Sequence, residues 1–283
     1  MGEDPREGRV TTVVAGLPLR GFSAAGRETW FHFPTLRLAF DLGRAPTELV
    51  PVANVFLSHA HLDHAAGLPY WCSQRRLLRL PGGVARTHPA AVPLWRELLA
   101  LHERLEDVRY DARVEPMAPG GTVVLRRDLS VTAFAADHRV PTLGFFASEV
   151  RRRLRPEWKD KGPDAVRAAA TAGTDVAGEV SIPLVAFSGD TAAGFFDAAP
   201  KEIFEARVLL LECSFVEPRD DGRSKEWKHL HLSEIAERAD QIRNEVLVLT
   251  HLTLRTSPEE IRRQISNRFP ASLAKRTVPF LAE

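Results

Sequence analysis

The sequence predicts an α/β protein in which two sheets pack face to face with helices outside. Three observations predict it. The first half is rich in short alternating or continuous apolar runs, as consecutive strands require. The last third alternates apolar runs with amphipathic helical stretches. In both halves His and Asp residues follow directly on apolar runs, so a shared site would lie along one edge of the sandwich. With 283 residues, 44% hydrophobic and 27% charged, the chain suits a single large domain over 1–283 with a substantial core.

Taken in order, a polar tail is followed by strands expected at 10–19, 28–33 and 36–41, each bounded by turn residues. The apolar run 52–57 reads as a buried strand, and Ala65, Ala66 and Gly67 begin what reads as a helix. Residues 70–80 and 89–106 have helix-spaced apolar positions, among them Leu94, Leu98, Leu99 and Leu101, and are expected to cover the sheet. Strands follow at 121–126, 129–136 and 142–150. Residues 151–180 open with RRRLRPEWKDKGPD and continue Ala-rich to Gly178, which predicts an exposed helical excursion. The remainder reads as strands at 182–188 and 207–212, a helix at 232–243, a strand at 245–250, a helix at 258–268 and a short strand near 277–282. Ser257, Pro258 and Glu260 form a capping pattern for that last helix.

A formal net charge of +1 gives no global electrostatic footprint of a nucleic-acid binder, while leaving room for a local basic surface. Cys72 and Cys213 are too few for a disulfide framework and fit a reducing compartment. The N-terminal MGEDPREGR lacks an apolar core of a signal peptide, and no apolar run approaches a membrane span. A cytoplasmic protein with no membrane partner is expected.

The densest chemistry lies in FLSHAHLDHAAGL, residues 56–68, where His59, His61, Asp63 and His64 occupy a strand-to-helix turn. Such a turn directs the alternate imidazoles His59 and His61 toward one point and Asp63 and His64 toward a second. Two adjacent divalent ions are the natural occupants. Further donors at later strand ends meet the need: His138, Asp190 and His251 each follow an apolar run. Imidazole and carboxylate suit zinc or manganese, and Asp190 is the residue chosen to bridge two ions. A solvent molecule shared by the ions loses a proton near neutral pH, and paired ions favour in-line displacement at phosphorus, so ester hydrolysis is expected.

These residues also carry a family resemblance. SHAHLDH, the His of ADHRVP, the Asp of SGDT and the His of LTH resemble the motifs of the metallo-β-lactamase fold over nearly the whole chain. Within that superfamily FDLGRAPT, LLLECSF and HLHLSE resemble ribonuclease Z, the tRNA 3′-processing endonuclease, in its short plant-type form. The resemblance implies an αββα sandwich of two mixed sheets, two zinc ions per chain, a homodimer, and cleavage of precursor tRNA just after the discriminator base. It implies that His59, His61 and His138 hold one metal and Asp63, His64 and His251 the other, with Asp190 between them. Asp63 would also help activate water. His231 falls where the family has a non-ligand histidine that protonates the leaving 3′ oxygen; Ser233 completes the His-x-Ser/Thr pattern, which prefers it to His229. Glu212 is the candidate to orient it. The alternative for His231 is a histidine at a helix start. The chain lacks the family's long Gly/Pro-rich lysine arm between His138 and Asp190, and the run bearing Arg151, Arg152, Arg153 and Arg155 could supply phosphate contacts instead. The alternative function is hydrolysis of a small phosphodiester, sulfate ester, thioester or lactone on the same scaffold.

Overall fold

The structure, a computed structural model, describes residues 9–281. The polar tail through residue 8, and position 282 of the expected last strand, lie outside the described residues. Two seven-stranded sheets form the centre. The first runs in chain order through β1 (Val10–Val14), β2 (Leu17–Ala24), β3 (Glu28–Phe33), β4 (Leu38–Phe40), β5 (Asn54–Phe56), β6 (Val84–Thr87) and β7 (Arg113–Pro116). It is antiparallel as far as β4 and parallel beyond. The second contains β8 (Thr122–Arg126), β9 (Leu129–Ala135), β10 (Leu143–Leu154), β11 (Ala177–Phe187), β12 (Val208–Glu212), β13 (Val246–Thr250) and β14 (Thr277–Pro279), antiparallel up to β11 and parallel after it.

Three apolar clusters layer these sheets. Between them lies a core of aromatic rings, with Phe31 edge-on to Phe187 at 5.4 Å and Phe40 stacked on Phe145 at 6.1 Å. Outside the first sheet α1 (Leu62–Ala65), α2 (Leu68–Leu77) and α3 (Val92–Glu106) bury Ala65, Trp71 and Trp95 against β3 to β6. After α4 (Pro163–Thr171), the second sheet is covered by α5 (Phe195–Ala198), α6 (Lys201–Glu205), α8 (Leu232–Glu237), α9 (Pro258–Arg268) and α10 (Ala271–Ala274), with α7 (Asp221–Trp227) between α6 and α8 in the chain. The expected sandwich of two mixed sheets with helices outside is therefore what the chain forms.

Several expected elements differ. The stretch 10–19 is a hairpin, because Ala15 and Gly16 both take positive φ, 45° and 76°, and reverse the chain within two residues. β6 and β7 were not expected; at four residues each they are too short to display a period. The sheet-facing side of α3 is Val92, Trp95 and Leu99, whereas Leu94, Leu98, Leu101 and Leu105 face outward. The helix expected over 232–243 stops at Glu237. Residues 151–180 are not purely helical: β10 pairs with β9 only as far as Glu149, and β11 pairs with β12 only from Val185. Residues 151–154 and 177–180 thus pair only with each other, a two-stranded ribbon leaving the sheet with α4 at its tip.

Candidate active site

The strand directions bring the polar residues to one edge. β4 and β5 are parallel, and β9, β11, β12 and β13 share one direction because β10 runs antiparallel to both β9 and β11. Their C-terminal ends carry Asp41, the 58–64 turn, His138, Asp190, Glu212 and His251. Backbone links tie the two sheets here: Leu143 N donates to Ser58 O at 2.9 Å, and His251 N to Ser23 Oγ at 2.8 Å. Asp190 follows Gly189, whose φ is 62° and whose missing Cβ would lie 2.8 Å from Leu143 O. A side chain there would push the Asp190 turn off the opposite strand.

One ligand atom each from His59, His61, His138 and Asp190 lies within 4.8 Å of the others, and the same holds for Asp63, His64 and His251. Asp190 Oδ2 sits between the groups, 3.7 Å from His59 Nε2, 3.4 Å from His64 Nε2 and 3.5 Å from His251 Nε2. His59 Nε2 and His61 Nδ1 converge to 3.0 Å. All seven expected metal-ligating residues are thus brought together.

The surrounding hydrogen bonds fit a cation. Ser58 Oγ donates to Asp41 Oδ2 at 2.8 Å, so it accepts from His59 Nδ1 at 3.0 Å. Asp41 Oδ2 accepts from His64 Nδ1 at 2.7 Å, and the Lys228 carbonyl from His138 Nδ1 at 3.0 Å. Ser214 Oγ, which donates to Glu212 Oε2 at 3.0 Å, accepts from His251 Nδ1 at 2.8 Å. In each of these four rings Nδ1 donates to a protein acceptor, which leaves Nε2 as the nitrogen a cation would take. His64 Nε2 and His138 Nε2 are buried without a hydrogen-bond partner, which is costly unless a cation takes them. Burial disfavours a charged His64, yet the Asp190 and Asp41 carboxylates hold its pKa well above the ordinary range. Burial likewise opposes ionisation of Asp63, but the His251 hydrogen bond and the nearby His64 hold its carboxyl below the usual range. The centre is short of positive charge.

Beside the cluster Glu212 is fully buried and accepts from Thr191 N and Leu230 N, both at 3.1 Å, and from Ser214 N at 2.9 Å. Its Oε1 accepts from His229 Nδ1 at 2.8 Å. His229 packs 4.9 Å from the His138 ring and stacks 5.2 Å from His251. Burial alone would lower its pKa, but the Glu212 carboxylate outweighs burial and raises it to about 9. His231 is elsewhere. It is 1% exposed, caps α8 by accepting from Ser233 N at 3.2 Å, and donates from Nε2 to Glu217 O at 2.8 Å. Both ring nitrogens of His231 are consumed, whereas His229, held by Glu212, is the histidine of the pair that stands beside the donors. The preference for His231 followed Ser233, which is the partner of a cap. Asp41, Ser58 and Ser214 were not singled out individually. All three lie inside the motifs FDLGRAPT, SHAHLDH and LLLECSF, and their signal is the position just past a strand.

The four arginines fall on or beside the ribbon, outside the cluster. Arg151 pairs with Glu149 at 2.6 Å, Arg152 with Asp175 at 2.8 Å and Arg155 with Asp175 at 2.5 Å. Arg153 has no ion pair among the described residues.

Fold and site together define a class: the chain matches the beta-lactamase superfamily domain over residues 29–252 and belongs to that superfamily. Within it the chain belongs to the tRNase Z family. It is 30% identical over 270 residues to tRNase Z TRZ2, chloroplastic, of Arabidopsis thaliana, covering 93% of this chain and 76% of that one. It is 28% identical over 258 residues to tRNase Z TRZ1 of the same plant, covering 89% and 91% respectively. In fold it is similar to human tRNase Z, short form, with a TM-score of 0.54, 19% identity and coverage of 87% and 92%. It is also similar to the metallo-beta-lactamase fold protein YhfI of Bacillus subtilis, with a TM-score of 0.62, 15% identity and coverage of 97% and 96%.

Proposed function

We propose that this protein is a zinc-dependent endonuclease that cuts precursor tRNA at its 3′ end. The observation that carries the reading is the His229–Glu212 pair, a proton donor held against a seven-donor cluster. In this reading His59, His61 and His138 would hold one ion and Asp63, His64 and His251 the other, and Asp190, near both groups, would be available to either. The imidazole-rich set favours zinc, with manganese a compatible occupant. When bound, the ions supply Lewis acidity that acidifies water and offsets charge on the phosphate.

The chain's own groups do the rest. Asp63, whose Oδ2 accepts from Gly26 N at 3.1 Å, orients the attacking water and takes its proton. As the water oxygen bonds to phosphorus the P–O3′ bond breaks, and His229 gives its proton to the departing ribose oxygen. The products are a 3′-hydroxyl on the tRNA body and a 5′-phosphate on the trailer. Glu212 keeps the His229 ring aimed and stabilises its charged form.

Arg151, Arg152, Arg153 and Arg155 contact tRNA phosphates from the ribbon. Their partial neutralisation by Glu149 and Asp175 makes Arg153 the principal free charge among the four. A homodimer forms through the outward stripe Leu94, Leu98, Leu101 and Leu105, which recurs at helical spacing along α3, with exposed Tyr70 and Leu77 on α2 adding apolar surface. The two buried free cysteines support a cytoplasmic setting; burial pushes the Cys72 thiol up to about 12, so it stays an inert thiol. Among the described residues no helix is long and apolar enough to cross a membrane.

Zinc-loaded protein incubated with a precursor tRNA, and separately with a nitrophenyl phosphodiester, tests the reading. Efficient cutting of the RNA is expected. Turnover of the small ester with no RNA cleavage would replace it with a small-ester hydrolase.

A further inference from the structure

A cavity of about 360 Å³ opens directly beside His229 and His251 and is also lined by Phe215, Arg223, Trp227 and Arg255. Trp30, Trp71 and Trp95 are buried, as packing tryptophans are, but Trp227 is 46% exposed at the end of α7. The Arg139 guanidinium lies over its ring, 4.9 Å from the centroid.

The placement of this pair is fixed by the site itself. Lys228 takes a left-handed φ of 54°, ending α7 and turning the chain from Trp227 into His229. Its carbonyl accepts from His138 Nδ1, and its ammonium pairs with Asp137 at 2.8 Å. Segments 137–139 and 227–229 are therefore tied together beside the donor cluster. A flat aromatic face with a cation over it therefore stands in the wall of the cavity that also carries His229.

We infer that Trp227, with Arg139 over it, is the seat for the base of the nucleotide that bears the leaving 3′ oxygen. This rests on the reading of the site as a tRNA 3′ endonuclease. His229 must reach the leaving oxygen to protonate it, so the ribose carrying that oxygen lies against His229 and its base lies one sugar further along the same wall. Trp227 is there. A nucleobase offers a π face to an exposed indole whatever its identity, so the seat accepts all four bases. Phe215 lines the same cavity, its ring centroid 6.2 Å from that of His229. The contribution is positioning: a stacked base holds its 3′ oxygen in line between phosphorus and His229.

The test compares wild type, Trp227→Ala and Trp227→Phe, all zinc-loaded, on three substrates. These are a precursor tRNA, the same RNA with an abasic residue just 5′ of the cut, and a nitrophenyl phosphodiester. Trp227→Ala is expected to lose on the order of 10–100-fold in kcat/KM on the intact RNA, with Trp227→Phe restoring most of it. On the abasic RNA wild type and Trp227→Ala should be nearly equal, and on the small ester the variant should match wild type. A Trp227→Ala loss that is the same on abasic as on intact RNA, or equal on RNA and small ester, overturns the base seat while leaving the endonuclease reading standing; so does no loss at all. Failure of wild type to cut the intact RNA overturns both.

Discussion

His229 and His231 are two positions apart, and what folds around each decides its role. His229 faces Glu212 beside the donors; His231 has Ser233 and the Glu217 carbonyl on its two nitrogens. His229→Ala is expected to retain its metals and lose on the order of 10²–10⁴ in cleavage of precursor tRNA, where the alkoxide leaves poorly. Hydrolysis of a nitrophenyl diester, whose leaving group needs no proton, should fall much less. His231→Ala should do the reverse: keep the activity of its folded fraction and lower the melting temperature, with about 1–2 kcal/mol lost from the α8 cap. Equal rate losses in both variants would undo the distinction. Asp41 gives a second test at this scale. It accepts from Ser58 N at 2.7 Å, from Ser58 Oγ and from His64 Nδ1, so Asp41→Asn should weaken metal binding about 10–100-fold in chelator competition. Unchanged affinity would show that His64 needs no such support. The seven donors were legible because each stands just past an apolar run. The choice between the two histidines was not, because Glu212 reaches His229 across 17 positions and no local pattern records that contact.

At the scale of elements the ribbon of β10 and β11 is the part the sequence concealed. Past the half-buried Val150 its strand is Arg151-Arg152-Arg153-Leu154, exposed throughout, so there is no buried face to impose alternation. Its pairing is set by the partner strand at 177–180. β6 and β7 escaped for the opposite reason, being short and defined by parallel neighbours far away in the chain. The longer elements with a buried face, such as β3, β9, β13 and α9, were readable because period and capping agree; Ser257 Oγ does accept from Glu260 N, at 3.2 Å. For the ribbon, neutralising Arg151, Arg152, Arg153 and Arg155 should raise KM for precursor tRNA and flatten its salt dependence, without effect on a small ester. Arg153→Ala should account for a disproportionate share, since the other three already face carboxylates. An unchanged salt slope in the quadruple variant would make the run a solvated face.

For the whole molecule, the sandwich aligns strand ends from both sheets, and inter-sheet rings such as Phe40 and Phe187 stand one to three residues before Asp41 and Asp190. Packing of the core therefore sets the geometry of the site. The opposite consequence of the fold is the apolar face of α2 and α3. Leu98→Lys with Leu101→Lys should halve the mass seen by sedimentation, whereas a wild-type chain already monomeric would leave that face unexplained by self-association. The most direct measurement of what the molecule does is the chemistry of the ends it makes. When a precursor tRNA with a 3′ trailer is cut and both products are mapped, the tRNA 3′ endonuclease reading with water attack and His229 as acid predicts one cut after the discriminator base. It predicts a 3′-hydroxyl on the tRNA body and a 5′-phosphate on the trailer. A 2′,3′-cyclic phosphate, scattered cuts, or an intact precursor in the presence of zinc would contradict it.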